Sequence, residues 1–173
     1  MVNRYWLLVN RYWSIGNGQS LLVNRQSLLV NSQWSIGGGV GSGRIESFRD
    51  LEAWKESRVL RQTAYRLARR LPKEERSLQE QIKRSAVSVT ANIAEGFGRF
   101  HYQENIQFCR QSRGSACELL DHTITMLDEG LVSAAEYKEF EAQVERVLKL
   151  LNGYIRMLAD SKKNSKFRLT NDQ

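Results

Sequence analysis

The side chains able to do chemistry are few and widely spaced. Two histidines occur, His101 and His122. His122 follows Glu118 by four residues, so the two share one face of a helix. Glu-x-x-x-His can ligate a metal, but a metal centre in a helical bundle takes further inward carboxylates and histidines. The expected reading is a polar pair at or near the surface, with no metal and no cofactor. His101 stands between Gly98 and the next helical segment. Cys109 and Cys117 are eight residues apart on that segment, about 12 Å along a helix axis, too far to bridge. No metal-finger spacing, nucleophile elbow or phosphate-loop motif is present. A protein without catalytic activity is expected.

Charge is the stronger signal. The 173 residues include 26 basic and 19 acidic side chains, a formal charge of +7, and the excess is unevenly spread. Between Arg58 and Arg84 stand Arg58, Arg61, Arg66, Arg69, Arg70, Lys73, Arg76, Lys83 and Arg84, nine basic residues against three acidic. Between Glu118 and Glu145 the balance inverts, with eight acidic residues against Lys138 alone. Three readings are open. The basic residues face phosphates, as on a nucleic-acid-binding surface; opposite poles of neighbouring protomers meet; or these are solvated faces of a bundle that balances its own charge. The first is favoured. No base-reading module is recognisable, so backbone and shape recognition of structured RNA or DNA is expected.

Two segments combine small and polar residues where a helix would ordinarily carry larger ones. Ser85 to Gly96 places Ser88, Asn92 and Glu95 on related faces, and Gly114-Ser115-Ala116-Cys117-Glu118 does the same with Ser115 and Glu118. Small side chains let a neighbouring helix approach, and Asn92 and Glu95 could bond across the contact or to a helix terminus. Gly114 costs about 1 kcal/mol in a helix interior relative to alanine, for which tight packing would compensate. Asn92, Glu95, Gly96, Gly114, Ser115 and Glu118 are therefore expected to serve helix or subunit packing, with a polar ligand pocket as the functional alternative.

The elements that position these residues are helices. Ala53, Ser57, Leu60, Ala64, Leu67 and Leu71 step by four and three, which predicts a helix from about Phe48 to Arg70, flanked by Trp54 and Tyr65 and ended by Pro72. Leu78, Ile82, Ala86, Val89 and Ile93 predict a second over about Lys73 to Glu95, opened by proline and Glu74-Glu75 and stopped by Gly96 and Gly98. Ile106, Cys109, Ala116, Leu120, Thr123 and Leu127 mark a third over about Tyr102 to Asp128, ended by Gly130. Ser133 and Glu136 form a capping box for a fourth, whose stripe runs Tyr137, Phe140, Val144, Val147, Leu151, Tyr154 and Leu158. No stretch alternates with period two. The fold class is all-α, an up-down four-helix bundle over 44–160 with a basic, frayed tail over 161–173.

Residues 1–43 are different in kind. Val-Asn-Arg-Tyr-Trp occurs at 2–6 and 9–13, Leu-Leu-Val-Asn starts at 7, 21 and 28, and Trp-Ser-Ile-Gly starts at 13 and 34. Every offset is a multiple of seven. A coiled coil has that period, but flanking charges are lacking and glycines interrupt. A repeated seven-nucleotide DNA unit returns to frame every seven codons, so translated repeat DNA explains the pattern better. A basic, aromatic arm that stacks Trp6, Trp13 and Trp34 on bases is the functional alternative. Gly37 to Gly43 reads as a flexible linker, and the whole segment as a non-globular, disordered extension.

Phe48-Arg49-Asp50-Leu51-Glu52-Ala53-Trp54, Gln81-Ile82-Lys83-Arg84-Ser85-Ala86, Ala91-Asn92-Ile93-Ala94-Glu95-Gly96 and Gly114-Ser115-Ala116-Cys117-Glu118-Leu119 follow one another at fitting spacing. Over roughly 47–160 the chain resembles the bacterial four-helix-bundle family first recognised as proteins encoded within intervening sequences of 23S ribosomal RNA. The Asn-Ile-Ala-Glu-Gly run is the most specific part. That family is similar in turn to the accessory protein of diversity-generating retroelements, a basic pentameric barrel that binds nucleic acid and a reverse transcriptase. The resemblance implies a four-helix protomer, a homopentamer and no known catalytic activity.

Taken together, the sequence points to a non-enzymatic, oligomeric bundle that binds structured nucleic acid through a basic face. The alternative is a protein-interaction scaffold, or an accessory subunit that docks a partner enzyme such as a reverse transcriptase. No run of about eighteen apolar residues exists, and Trp6 to Val9 is too short for a signal-peptide core. With only two cysteines, a reducing, cytoplasmic setting without membrane contact is expected.

Overall fold

The computed structural model describes residues 45–99 and 101–171, with side chains as far as Lys162. The expectations for residues 1–43 lie outside the described residues. Four α-helices follow in order: α1 (Glu52–Arg70), α2 (Arg76–Gly98), α3 (Tyr102–Asp128) and α4 (Ala134–Asn171). Single turns of 3-10 helix precede α1 (Phe48–Asp50) and α2 (Lys73–Glu75). The first turn carries its own capping box, in which Ser47 accepts from the Arg49 amide and Asp50 accepts from the Ser47 amide. Among the described residues there is no strand.

Each helix packs on its sequence neighbours, and α1 closes against α4. Cross-helix bonds give the directions. Arg61 reaches Thr90 while Gln79 reaches the Ala68 carbonyl, so α1 and α2 run antiparallel. Ser115 meets Ser88 and Ser112 meets Val89, so α2 and α3 do the same. Arg70 pairs with Glu136 and Glu56 with Arg146 across α1 and α4. The result is the expected up-down bundle.

The stripes read from periodicity form the core. Every member on α1 is buried, as are Ile82, Ala86, Val89 and Ile93 on α2 and Phe140, Val144, Val147, Leu151 and Leu158 on α4. On α3 the buried side is wider than expected and adds Asn105, Ser112, Leu119 and Met126. Burying hydroxyls and amides is tolerable only when they are hydrogen-bonded. Ser57, Ser85 and Thr123 donate to carbonyls on their own helices, Thr90 to Val87, Ser112 across to Val89, and Asn105 across to the Tyr154 hydroxyl.

The helix ends follow sequence chemistry in most places. Gly130 takes φ +68°, and the Leu131 amide reaches back to the Met126 carbonyl at 2.8 Å, closing α3 in the left-handed turn that glycine permits. Ser133 and Glu136 form the expected capping box at the start of α4. Two C-terminal ends differ from expectation. Helix α2 continues through Gly96 to Gly98, because Gly96 keeps helical geometry and faces α3 rather than stopping the chain. Helix α4 runs on to Asn171, past the expected start of a tail at Ser161. No proline or glycine follows Gly153 to break the helix.

Candidate nucleic-acid interface

The basic run occupies the second half of α1 and the first half of α2, and the acidic run the second half of α3 and the first half of α4. In an up-down bundle these four half-helices lie at one end. That end is therefore polarised across its width, basic on α1 and α2 and acidic on α3 and α4. Arg70 and Glu136 meet at 2.5 Å on the seam where α1 touches α4. Arg70 and the two Ser133 groups that donate to Glu136 hold its carboxyl down to about 2.

Of the nine basic residues, Arg70 and Arg76 are engaged by carboxylates, Glu136 and Glu80. Arg58, Arg61, Arg66, Arg69, Lys73, Lys83 and Arg84 make no ion pair among the described residues. Arg58, Arg66, Arg69, Lys73 and Arg84 are exposed, and Arg61 and Lys83 are half-buried. Arg69 also lies in the last turn of α1, where a cation complements the helix dipole.

Three of these arginines converge. Arg61, Arg66 and Arg69, with Gln62 and Tyr65 of α1 and Val87 of α2, line a groove of about 650 Å3. Two of the guanidinium groups are oriented by hydroxyls: Arg61 donates to Thr90 at 2.8 Å across the helix pair, and Arg66 to Thr63 at 3.0 Å. No carboxylate lines the groove. At the register set by the cross-helix bonds, Arg84 falls at the height of Tyr65. Such planar, multi-donor cations suit phosphate oxygens. Tyr65, Gln62 and Val87 were not among the expected site residues. The available signal was an apolar side chain off the buried stripe: Val87 is 41% exposed and Val59, also off its stripe, 46%.

The small-residue segments divide between two roles. Gly96 is buried, and a Cβ built there would lie 2.9 Å from Asn105 Oδ1 and 2.9 Å from Phe108 Cβ. It is the point at which α2 and α3 approach most closely among the described glycines. Ser115 sits on the same contact, 2.8 Å from the Ser88 hydroxyl. The expected partners of Asn92 and Glu95 are corrected. Asn92 donates to the carbonyl and hydroxyl of Ser88 on its own helix, and Glu95 pairs with Arg99 one turn on. Helical i,i+4 spacing offers both a nearer partner than α3 does. Gly114 is exposed, and nothing lies within 4 Å of a Cβ built there, so of its two expected roles packing between helices of the protomer does not occur. No packing inside the protomer compensates its helix-breaking tendency.

Glu118 and His122 form the expected pair at 3.7 Å, longer than a hydrogen bond. Among the described residues no third histidine, cysteine or carboxylate joins them to make a metal site. Cys109 is buried and Cys117 exposed, both as free thiols. Burial pushes the Cys109 thiol up to about 12. Among the described residues no helix is long and apolar enough to cross a membrane.

A family model described as 23S rRNA-intervening sequence protein matches residues 49–153, from the turn before α1 into the middle of α4. No curated protein matches the chain.

Proposed function

The chain belongs to the 23S rRNA-intervening sequence protein family, and from that premise we propose that it is a non-enzymatic, oligomeric bundle that binds structured nucleic acid through the basic face of α1 and α2. The observation that carries this reading is the convergence of Arg61, Arg66 and Arg69 on one groove without a carboxylate among its lining residues. The acidic side formed by α3 and α4 repels phosphates, so a polyanion approaches from one side only.

The test is binding of the full chain to a structured ribosomal-RNA fragment across a salt series. Neutralising a phosphate releases a counterion, so log K falls with log salt at a slope near −0.9 per duplex phosphate contact and near −0.7 for single strands. Five contacts from Arg61, Arg66, Arg69, Lys83 and Arg84 give a slope of about −3.5 to −4.5. The double variant Arg66→Gln, Arg69→Gln reduces its magnitude by about 1.4 to 1.8. Arg70 is left in place, because Glu136 already engages it. Binding unchanged by the variant, or too weak to saturate, refutes the proposal.

The polarised end favours a second reading that is compatible with the first. A basic side and an acidic side on one protomer complement those of a second copy, which supports a ring such as the homopentamer implied by resemblance. A ring also multiplies the basic face and raises avidity. Sedimentation of the full chain at low and high salt tests it. An oligomer that dissociates as salt rises supports charge-driven assembly, and a monomer at all salt concentrations refutes it. The same acidic side would serve a partner enzyme in the scaffold reading, where RNA binding is absent and protein capture depends on α3 and α4.

A further inference from the structure

The groove on α1 and α2 contains more than phosphate binding requires. A paired helix offers a protein its phosphates and sugars, and a flat array of cations meets them. An aromatic ring and an exposed valine in the same groove gain nothing from that surface. Resting on the nucleic-acid reading above, we propose that this groove holds one unpaired nucleotide of a bound RNA, its base against Tyr65 and Val87 and its flanking phosphates on Arg66 and Arg69.

Four features support the assignment. Tyr65 is half-buried, so one part of its ring is backed by the bundle while the rest faces the groove. Val87 is 41% exposed on α2 opposite it, although nearby outward positions of α2 carry the polar Lys83 and Arg84. The Arg61 guanidinium is held over α2 by Thr90, a fixed plane of the kind on which bases stack. The groove is open to solvent rather than enclosed, as a nucleotide still joined to its strand on both sides requires. An acidic peptide would use the arginines but not the ring.

The experiment compares two labelled RNA hairpins of equal length, one with a perfect stem and one with a single bulged 2-aminopurine, binding to the full chain at fixed salt. Wild-type protein is expected to quench the 2-aminopurine and to favour the bulged hairpin. Tyr65→Ala should weaken the bulged hairpin about 5- to 150-fold, the span reported for loss of one base–aromatic stack, and leave the perfect stem unchanged. Tyr65→Phe keeps the ring and should keep both the preference and the quenching. Arg66→Gln with Arg69→Gln should weaken both hairpins. If that pair weakens both while Tyr65→Ala moves neither, or moves both equally, the groove assignment falls and nucleic-acid binding stands. If the arginine pair moves neither, nucleic-acid binding through this face falls with it. Displacement of the RNA by micromolar adenosine monophosphate, or equally well by polyglutamate, overturns the assignment in favour of a free nucleotide or an acidic protein.

Discussion

Two glycines in helix interiors should respond to alanine with opposite signs. At Gly96 a Cβ would stand 2.9 Å from both Asn105 Oδ1 and Phe108 Cβ and 3.2 Å from the Asn105 carbonyl. Phe108 Cβ and the Asn105 carbonyl are anchored to the α3 backbone, and Asn105 Oδ1 is fixed by its amide's bond to Tyr154. The clash is therefore relieved only by moving α3. Overpacking of this kind costs about 1–3 kcal/mol, against about 1 kcal/mol gained from the better helix former. The expected net loss for Gly96→Ala is about 0–2 kcal/mol. At Gly114 a Cβ meets nothing within 4 Å, so Gly114→Ala should stabilise by about 0.5–1 kcal/mol. Melting followed by circular dichroism, at a few degrees per kcal/mol for a bundle of this size, places the two variants on opposite sides of wild type. Urea titration supplies the free energies. A stabilised Gly96→Ala would refute the close-approach argument. A destabilised Gly114→Ala would show that its open face is covered in solution.

Acid stability should depend on Glu136. Its carboxyl is held down to about 2, first by Arg70 and then by Ser133, below its unfolded value of about 4.3. A depressed folded pKa stabilises the fold above the unfolded value and is lost as pH falls through the folded one. Glu136→Gln should thus flatten the pH dependence of unfolding between about pH 4.5 and 2; an unchanged profile refutes the link. Thiol titration should separate the cysteines. In native protein at pH 8 Cys117 reacts first, because it is exposed even though desolvation also pushes its thiol up, whereas Cys109 is wholly buried and its thiol is pushed up to about 12. Both react in guanidinium, and prompt release of two equivalents from native protein contradicts the packing of α3.

The four helices were legible because each carries a stripe at helical spacing and an end signal that acts locally. Gly130 and the Ser133–Glu136 box work through bonds within a few residues, so sequence neighbours suffice to read them. The basic run was legible as a count of charges. Its groove was not, since Tyr65 and Val87 stand 22 positions apart and are brought together by the antiparallel register of α1 and α2.

The sequence by itself determined the number of helices, their inward stripes and the segregation of positive from negative halves, all properties of residues close along the chain. Tertiary structure decided which polar groups are partnered. Gly96 and Gly114 read alike until α3 is laid against one and not the other. Arg70 and Arg69 read alike until α4 brings Glu136 to the first, leaving the second to the groove with Arg61 and Arg66. Contact between distant helices depends on register and crossing, which the packing of whole helix surfaces sets and which no local pattern encodes.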